Sequence, residues 1–262
     1  MDNPQRGTVH FIGAGPGDPD LITVRGRTLI ERCRVCLFAG SLVPRAVVAF
    51  APKDALVRNT ASMHLDQIVT LMDEATARGD DVARVHSGDP SLYGAIAEQM
   101  RKLDELGIPY DVIPGVSAFQ AAAAALKIEL TPAGKNQTLI LTRAPGRTGL
   151  PGHEDLSALA SHQTGLCLFL SAAQMPAVVE ALLPHYGPDA PVVVAHRVTW
   201  PDQQILRCTL ADVAQVMAEA DITLTALVLI GPMLDATPAT ESHLYERSYS
   251  HLFRKGEAAD TS

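Results

Sequence analysis

Three glycine-bearing stretches of this chain hold the residue types and spacings best suited to ligand chemistry. In "VHFIGAGPGDPDLIT" (9–23) an apolar run leads into glycines at 13, 15 and 17 and then into Asp18-Pro19. Glycine has no Cβ to hold a ligand away, and Asp before Pro fits a helix N-cap with proline at the first helical position. Asp18 is therefore read as a cap, worth about 1 kcal/mol, rather than as a proton acceptor. In "VHSGDPSLYGA" (85–95) Gly88 permits close approach, and Asp89 is placed to accept a hydrogen bond from a ligand hydroxyl or amine. In "VIPGVSAFQAAAAAL" (112–126) Gly115 and Ser117 precede a helix whose free N–H groups attract an anion such as a carboxylate.

Two nucleotide motifs fail on these residues. The dinucleotide fingerprint needs a third glycine where this chain has Asp18, and an acid at the tip of the second strand, which ends in "LFAGS". The phosphate loop needs a Lys-Ser or Lys-Thr after the glycines, and none follows. Cys33 and Cys36 have C-x-x-C spacing, but they span a helix end and a strand entry, not the helix N-terminus that lowers a thiol pKa. The four cysteines and nine histidines show no metal-ligand spacing, so no metal is expected. The cysteines are too few and scattered for a disulfide framework, which points to a reducing compartment. With a net charge of −8 and no Lys/Arg run, the chain is not expected to bind nucleic acid. A polyanionic small substrate would need a local cationic pocket.

Those junctions require strands and helices to position them. Residues are 47% hydrophobic and 19% charged, with no apolar run of roughly 18 residues, the pattern of a globular chain without a membrane span. The N-terminus lacks a basic segment followed by an apolar run, so a cytoplasmic location is expected. Apolar runs at 8–13, 34–38, 55–59, 82–87 and 110–114 alternate with helical patterns near 20–33, 64–78, 91–106 and 116–127. Strand-then-helix repetition with buried β-branched strands predicts an α/β fold with a mainly parallel N-terminal sheet. Pro132 and Gly134 mark a boundary, giving an N-terminal domain over 1–133, a C-terminal domain over 134–240 and a tail over 241–262. The second half offers strands at 138–143, 165–171, 191–197, 203–210 and 224–231. A Pro-Asp turn in "HRVTWPDQQIL" predicts an antiparallel hairpin there, hence a mixed second sheet.

In an open α/β sheet, ligands bind at the carboxyl ends of the strands, where all three glycine junctions fall. Together "GAGPGDPDLIT", "HSGDPSLYGA", "PGVSAFQAAAA", "LTRAPGRT" and "HRVTWPDQ" resemble the tetrapyrrole (corrin/porphyrin) methylase family over nearly the whole chain. The resemblance implies two α/β domains, with S-adenosylmethionine held in the cleft between them and left as S-adenosylhomocysteine. It also implies a homodimer. "FAGSLVP" (38–44) with "TWPD" (199–202) is most similar to the branch that methylates C11 of a corrin precursor. Ala39 stands where the uroporphyrinogen III branch usually has an aspartate, which argues against that reaction. Pro145 stands where the C11 branch more often has Glu.

By motif position the resemblance places Pro16, Ser87, Gly88, Asp89, Leu92, Ser117, Ala118, Leu170, Val198, Thr225 and Ala226 at the cofactor. The family's substrate carries many carboxylates. That makes His64, His86, Tyr93, Arg143, Arg147, His196, Arg197 and Trp200 candidate clamps. For His86 a buried, hydrogen-bonded role on its strand weighs equally, and for Trp200 packing on its turn weighs more. No residue is assigned as a catalytic acid or base, because transfer from a sulfonium rests on positioning. Alternatives kept at this point are a cobalt-bearing or uroporphyrinogen III substrate, a nicotinamide-dependent oxidoreductase and a non-catalytic anion-binding module.

Overall fold

The computed structural model describes residues 6–146, 149–235 and 247–256. The chain divides into two compact units. One runs to Ala125 and takes in Arg197–Gln203; the other holds Leu126–His196 and the residues from Gln204 on. The first unit's contacts thus end short of residue 133, and the turn at 197–203 is counted with it.

In the first unit the order is β1 (Val9–Gly13), α1 (Val24–Ile30), β2 (Val35–Phe38), α2 (Arg45–Val48), β3 (Leu56–Asn59), α3 (Leu65–Ala77), β4 (Val82–His86), α4 (Ile96–Glu105), β5 (Tyr110–Ile113) and α5 (Ala118–Leu126). The sheet runs β3-β2-β4-β1-β5 and every ladder is parallel. Side chains alternate across it, so one face packs Val9, Phe11, Leu37 and Val82 against Ile68, Met72 and Leu103 of α3 and α4. The other face packs Ile12, Cys36, Ala83 and Val85 against Ile30, Val47 and Val48 of α1 and α2. Both faces are covered, which is why these strands read as near-continuous apolar runs.

The second unit carries β6 (Leu139–Arg143), α6 (Leu156–Ala160), β7 (Gly165–Phe169), α7 (Met175–Tyr186), β8 (Pro191–His196), β9 (Gln204–Thr209), α8 (Val213–Glu219) and β10 (Ala226–Ile230). Its sheet runs β6-β7-β10-β8-β9. The β6–β7 ladder is parallel and the other three are antiparallel, including the β8–β9 hairpin. Fold class and mixed second sheet agree with the sequence reading.

Two helices start later than expected. Asp18 caps only a 3-10 turn over Pro19–Leu21, accepting from the Asp20 N–H at 2.9 Å, whereas α1 is capped by Thr23, whose Oγ1 accepts from the Gly26 N–H. Ile22 between them is extended, so the two segments cannot join into one helix. The helix expected from 91 begins at Ile96, because Tyr93 and Ala95 sit at φ 56° and 49°, outside the right-handed helical region. Of the tail, 241–246 and 257–262 lie outside the described residues. No helix among the described residues is long and apolar enough to cross a membrane.

Candidate functional site

The carboxyl ends of β1, β4 and β5 meet through their glycines. Gly15 and Gly88 form an antiparallel bridge, with the Gly88 N–H donating to the Gly15 carbonyl at 2.7 Å and the reverse bond at 3.3 Å. A methyl group on Gly13 would lie 2.6 Å from the Gly115 Cα and 2.7 Å from the Gly88 carbonyl oxygen; one on Gly115 would run into that same oxygen. Gly88 itself sits at φ +61°. The glycine pattern is thus explained first by chain meeting chain: Cβ atoms at 13 and 115 would push the strand ends apart. Close approach of a ligand, the expectation from sequence, is a consequence of that meeting.

Asp89 ties two junctions together. One carboxylate oxygen accepts from the Gly115 N–H at 2.9 Å; the other accepts from the Ser91 N–H at 2.8 Å and from the Ser91 hydroxyl. Partial burial pushes its pKa up, but the hydrogen bonds from Ser91 and Gly115 outweigh this and hold the carboxyl below its ordinary range. Leu92 follows, half-buried, its N–H donating to the Asp89 carbonyl. Ser117 is buried, and its N–H, expected to be free for an anion, is taken by Gln120 Oε1 at 3.0 Å, while Ala118 opens α5.

The turn at 197–203 covers the glycine loop. Trp200 Nε1 donates to the Pro16 carbonyl at 2.9 Å, and Thr199 Oγ1 accepts from the Asp18 N–H at 2.9 Å. The indole lies where a Gly17 side chain would be, and the Arg197 guanidinium stacks 4.3 Å from the indole centroid while pairing with Asp202 at 2.8 Å. Val198 is buried. Trp200 and Arg197 are therefore engaged in holding this turn on the loop.

His86 ends β4 at 3% exposure, and its Nε2 has no hydrogen-bond partner among the described residues. Burial, and then the neighbouring Arg84 charge, lower its pKa to about 3. It is uncharged at neutral pH and offers a hydrogen bond rather than the charge expected of a clamp. Ser87 follows, half-buried, Tyr93 is 44% exposed, and His64 is an exposed N-cap of α3.

Five of the second unit's candidates share one end of its sheet. Register places Arg143 opposite Phe169, just before Leu170, and places Ala226 opposite His196. Leu170 takes φ 52° while 65% exposed, and Thr225 takes φ 55°. A left-handed, solvent-facing leucine is costly in a free protein and suits a surface that a ligand covers. Arg143 Nη2 donates to the Gly149 carbonyl at 3.1 Å. Arg147 lies outside the described residues.

One feature of the first unit was not read from the sequence. An open cavity of about 470 Å³ lies at the ends of β2 and β3 and beside α3 and α4, lined by residues that include Ala39, Thr60, Ala61, Arg84, Glu98 and Gln99. Arg84 is buried at 4% exposure; its Nε donates to Gln99 Oε1 and its Nη1 to Thr60 Oγ1, both at 2.9 Å. The signal was present in "VARVHS", where a charge interrupts the face of β4 that otherwise packs on α3 and α4. Elsewhere the Cys33 and Cys36 thiols are buried, which pushes both up to about 12 and leaves them protonated. No cluster of three metal-ligating side chains occurs among the described residues.

Residues 8–214 match the model of the family described as Tetrapyrrole (Corrin/Porphyrin) Methylases. The chain belongs to this family. Among its members, the chain is 54% identical over 250 residues to precorrin-4 C(11)-methyltransferase of Pseudomonas aeruginosa, covering 95% of this chain and all of that one. The crystal structure of a cobalt precorrin-4 methyltransferase matches with a TM-score of 0.85 at 44% identity, over 87% of this chain and 96% of that one. Uroporphyrin-III C-methyltransferase from Thermus thermophilus, solved in complex with S-adenosylhomocysteine, matches with a TM-score of 0.74 at 25% identity, over 90% of this chain and 97% of that one. Methylase membership sets aside both the oxidoreductase and the non-catalytic readings.

Proposed function

We propose that this methylase transfers the methyl group of S-adenosylmethionine to C11 of precorrin-4, giving precorrin-5 in cobalamin biosynthesis. The observation that carries this reading is the 54% identity to a precorrin-4 C(11)-methyltransferase along that protein's entire length. A family member crystallised with S-adenosylhomocysteine supports the choice of cofactor. So does the local structure: the small residues Ser87, Gly88 and Ala118 leave backbone groups near the strand ends of the first unit, and Leu170 and Thr225 hold strained, exposed backbone in the second. Pro16, Asp89, Leu92, Ser117, Val198 and Ala226 complete the proposed cofactor set. In our reading the enzyme is a homodimer, on the family resemblance alone, and its free, scattered cysteines suit a cytoplasmic location.

Bound S-adenosylmethionine supplies a methyl already activated as a sulfonium, so attack by a ring carbon needs no metal and no protein nucleophile. The chain's task is alignment. Bringing carbon and methyl to about 3–3.5 Å in line is worth about 7–11 kcal/mol of barrier. Asp89 serves this as a positioning residue, since its three hydrogen bonds fix Gly115 and Ser91 on either side of the proposed cofactor edge. Asp89→Ala is expected to weaken S-adenosylhomocysteine about tenfold by calorimetry, the loss of a charge-assisted hydrogen bond. Unchanged affinity would remove Asp89 from the cofactor site.

A cobalt-bearing substrate is the second reading, favoured by the cobalt precorrin-4 methyltransferase at 44% identity. Incubating the enzyme and S-adenosylmethionine with precorrin-4, cobalt-precorrin-4 and uroporphyrinogen III in parallel decides between them. Mass spectrometry should find one added methyl, fastest with precorrin-4. Turnover confined to another arm would transfer the assignment to that substrate.

A further inference from the structure

Arg84 is a buried cation without a counter-charge. No carboxylate lies within 4.0 Å of it among the described residues, and its two hydrogen-bond partners are neutral. Both partners are themselves held: Thr60 Oγ1 donates to the Phe38 carbonyl, and Gln99 Nε2 donates to the Ala95 carbonyl. Nε and Nη1 are thus fixed, and Nη2 makes no hydrogen bond to another described residue. The guanidinium stays charged at neutral pH even though burial lowers its pKa to about 10. A buried charge of this kind is expensive unless something ionic faces it. Arg84 lines the cavity described above, in which, among the described residues, it is the one cation and Glu98, exposed, is the one anion.

We infer that this cavity is an anchoring subsite for one peripheral carboxylate of the tetrapyrrole substrate, received by Arg84 Nη2. The inference rests on the functional reading above for the identity of the substrate. Two sources of a carboxylate are available, the macrocycle's side chains and the amino-acid end of the cofactor. The macrocycle is favoured because none of the residues proposed for the cofactor lines the cavity. Apart from Thr60, Glu98 and Gln99, its other walls are small or apolar, including Ala39, Ala61, Met63 and Leu65, which leaves room for the methylene arm of an acetate or propionate group. Thr60 and Gln99 act as positioning residues that fix the guanidinium's orientation. Glu98 disfavours a second anion at the same mouth.

The test uses the full-length enzyme in two variants. Arg84→Met removes the charge with little change of volume. Ala61→Asp adds a carboxylate to the cavity wall from an exposed position, so it competes for Arg84 without disturbing the core. In both, KM for precorrin-4 is expected to rise about tenfold or more, the loss of one charge-assisted contact. S-adenosylhomocysteine affinity by calorimetry should not change. An unchanged KM in Ala61→Asp together with an unchanged KM in Arg84→Met overturns the subsite. Weakened S-adenosylhomocysteine with unchanged KM assigns Arg84 to the cofactor's carboxylate and also overturns it. If Arg84→Met fails to fold, Ala61→Asp decides alone. Absence of methyl transfer from the wild-type enzyme would instead sink the functional reading on which the subsite rests.

Discussion

His86 sits on β4 beside Arg84, where burial and a neighbouring positive charge both oppose its protonation and lower its pKa to about 3 from an ordinary 6.5. Between those values the unfolded chain binds one proton more than the folded one. Stability from this residue is therefore complete above about pH 6.5 and is lost as pH falls toward 3, with a slope approaching about 1.4 kcal/mol per pH unit. Asp89 acts lower: its carboxyl is held below the ordinary 3.8, so its contribution is present above that value and lost as pH falls through the lowered one. Denaturant unfolding at about pH 7 and about pH 5 separates them. The wild type should lose more stability over that interval than His86→Gln; equal losses would contradict the buried, neutral imidazole. Gly115 gives a second expectation. Gly115→Ala forces a methyl into the Gly88 carbonyl, so a loss of about 1–3 kcal/mol and weaker S-adenosylhomocysteine binding are expected together, by denaturation and calorimetry. Retention of both would mean the three strand ends need not meet.

Among the elements, the strands of both sheets were legible almost to the residue, because apolar β-branched runs between glycine and proline punctuation have few other uses. Helix starts were less legible. Asp18-Pro19 has the pattern of a cap, yet Thr23 caps α1, and only the backbone shows that Ile22 breaks the path between them. Thr23→Ala is accordingly expected to cost about 1 kcal/mol in denaturant unfolding, and Asp18→Ala roughly half as much or less, since it caps a single turn. A larger loss for Asp18→Ala would reverse that ranking. The short helices α2, α6 and α8 left no clear periodic pattern, being four to seven residues long. The hairpin turn carries the chain's one tryptophan. Its indole rests on Gly17 and bonds to Pro16, so Trp200 emission should change when S-adenosylhomocysteine binds; no change would separate this turn from the cofactor site.

For the molecule as a whole, the glycine junctions and the motif order were enough to reach a methylase, because both depend on local spacing. The Arg84 cavity was not, because Thr60, Arg84 and Gln99 come from three elements distant in sequence, and their meeting depends on the order β3-β2-β4. The same limit hid the engagement of Trp200 with Pro16, 184 residues apart. A net charge of −8 makes a buried, unpaired cation all the more specific as a receiver for a polycarboxylate. The most direct measurement is to supply S-adenosylmethionine carrying a ¹³C-methyl group with precorrin-4 and to locate the label in the product by NMR. The account predicts a single enriched methyl on C11. Label on any other ring carbon, or none transferred, would contradict it.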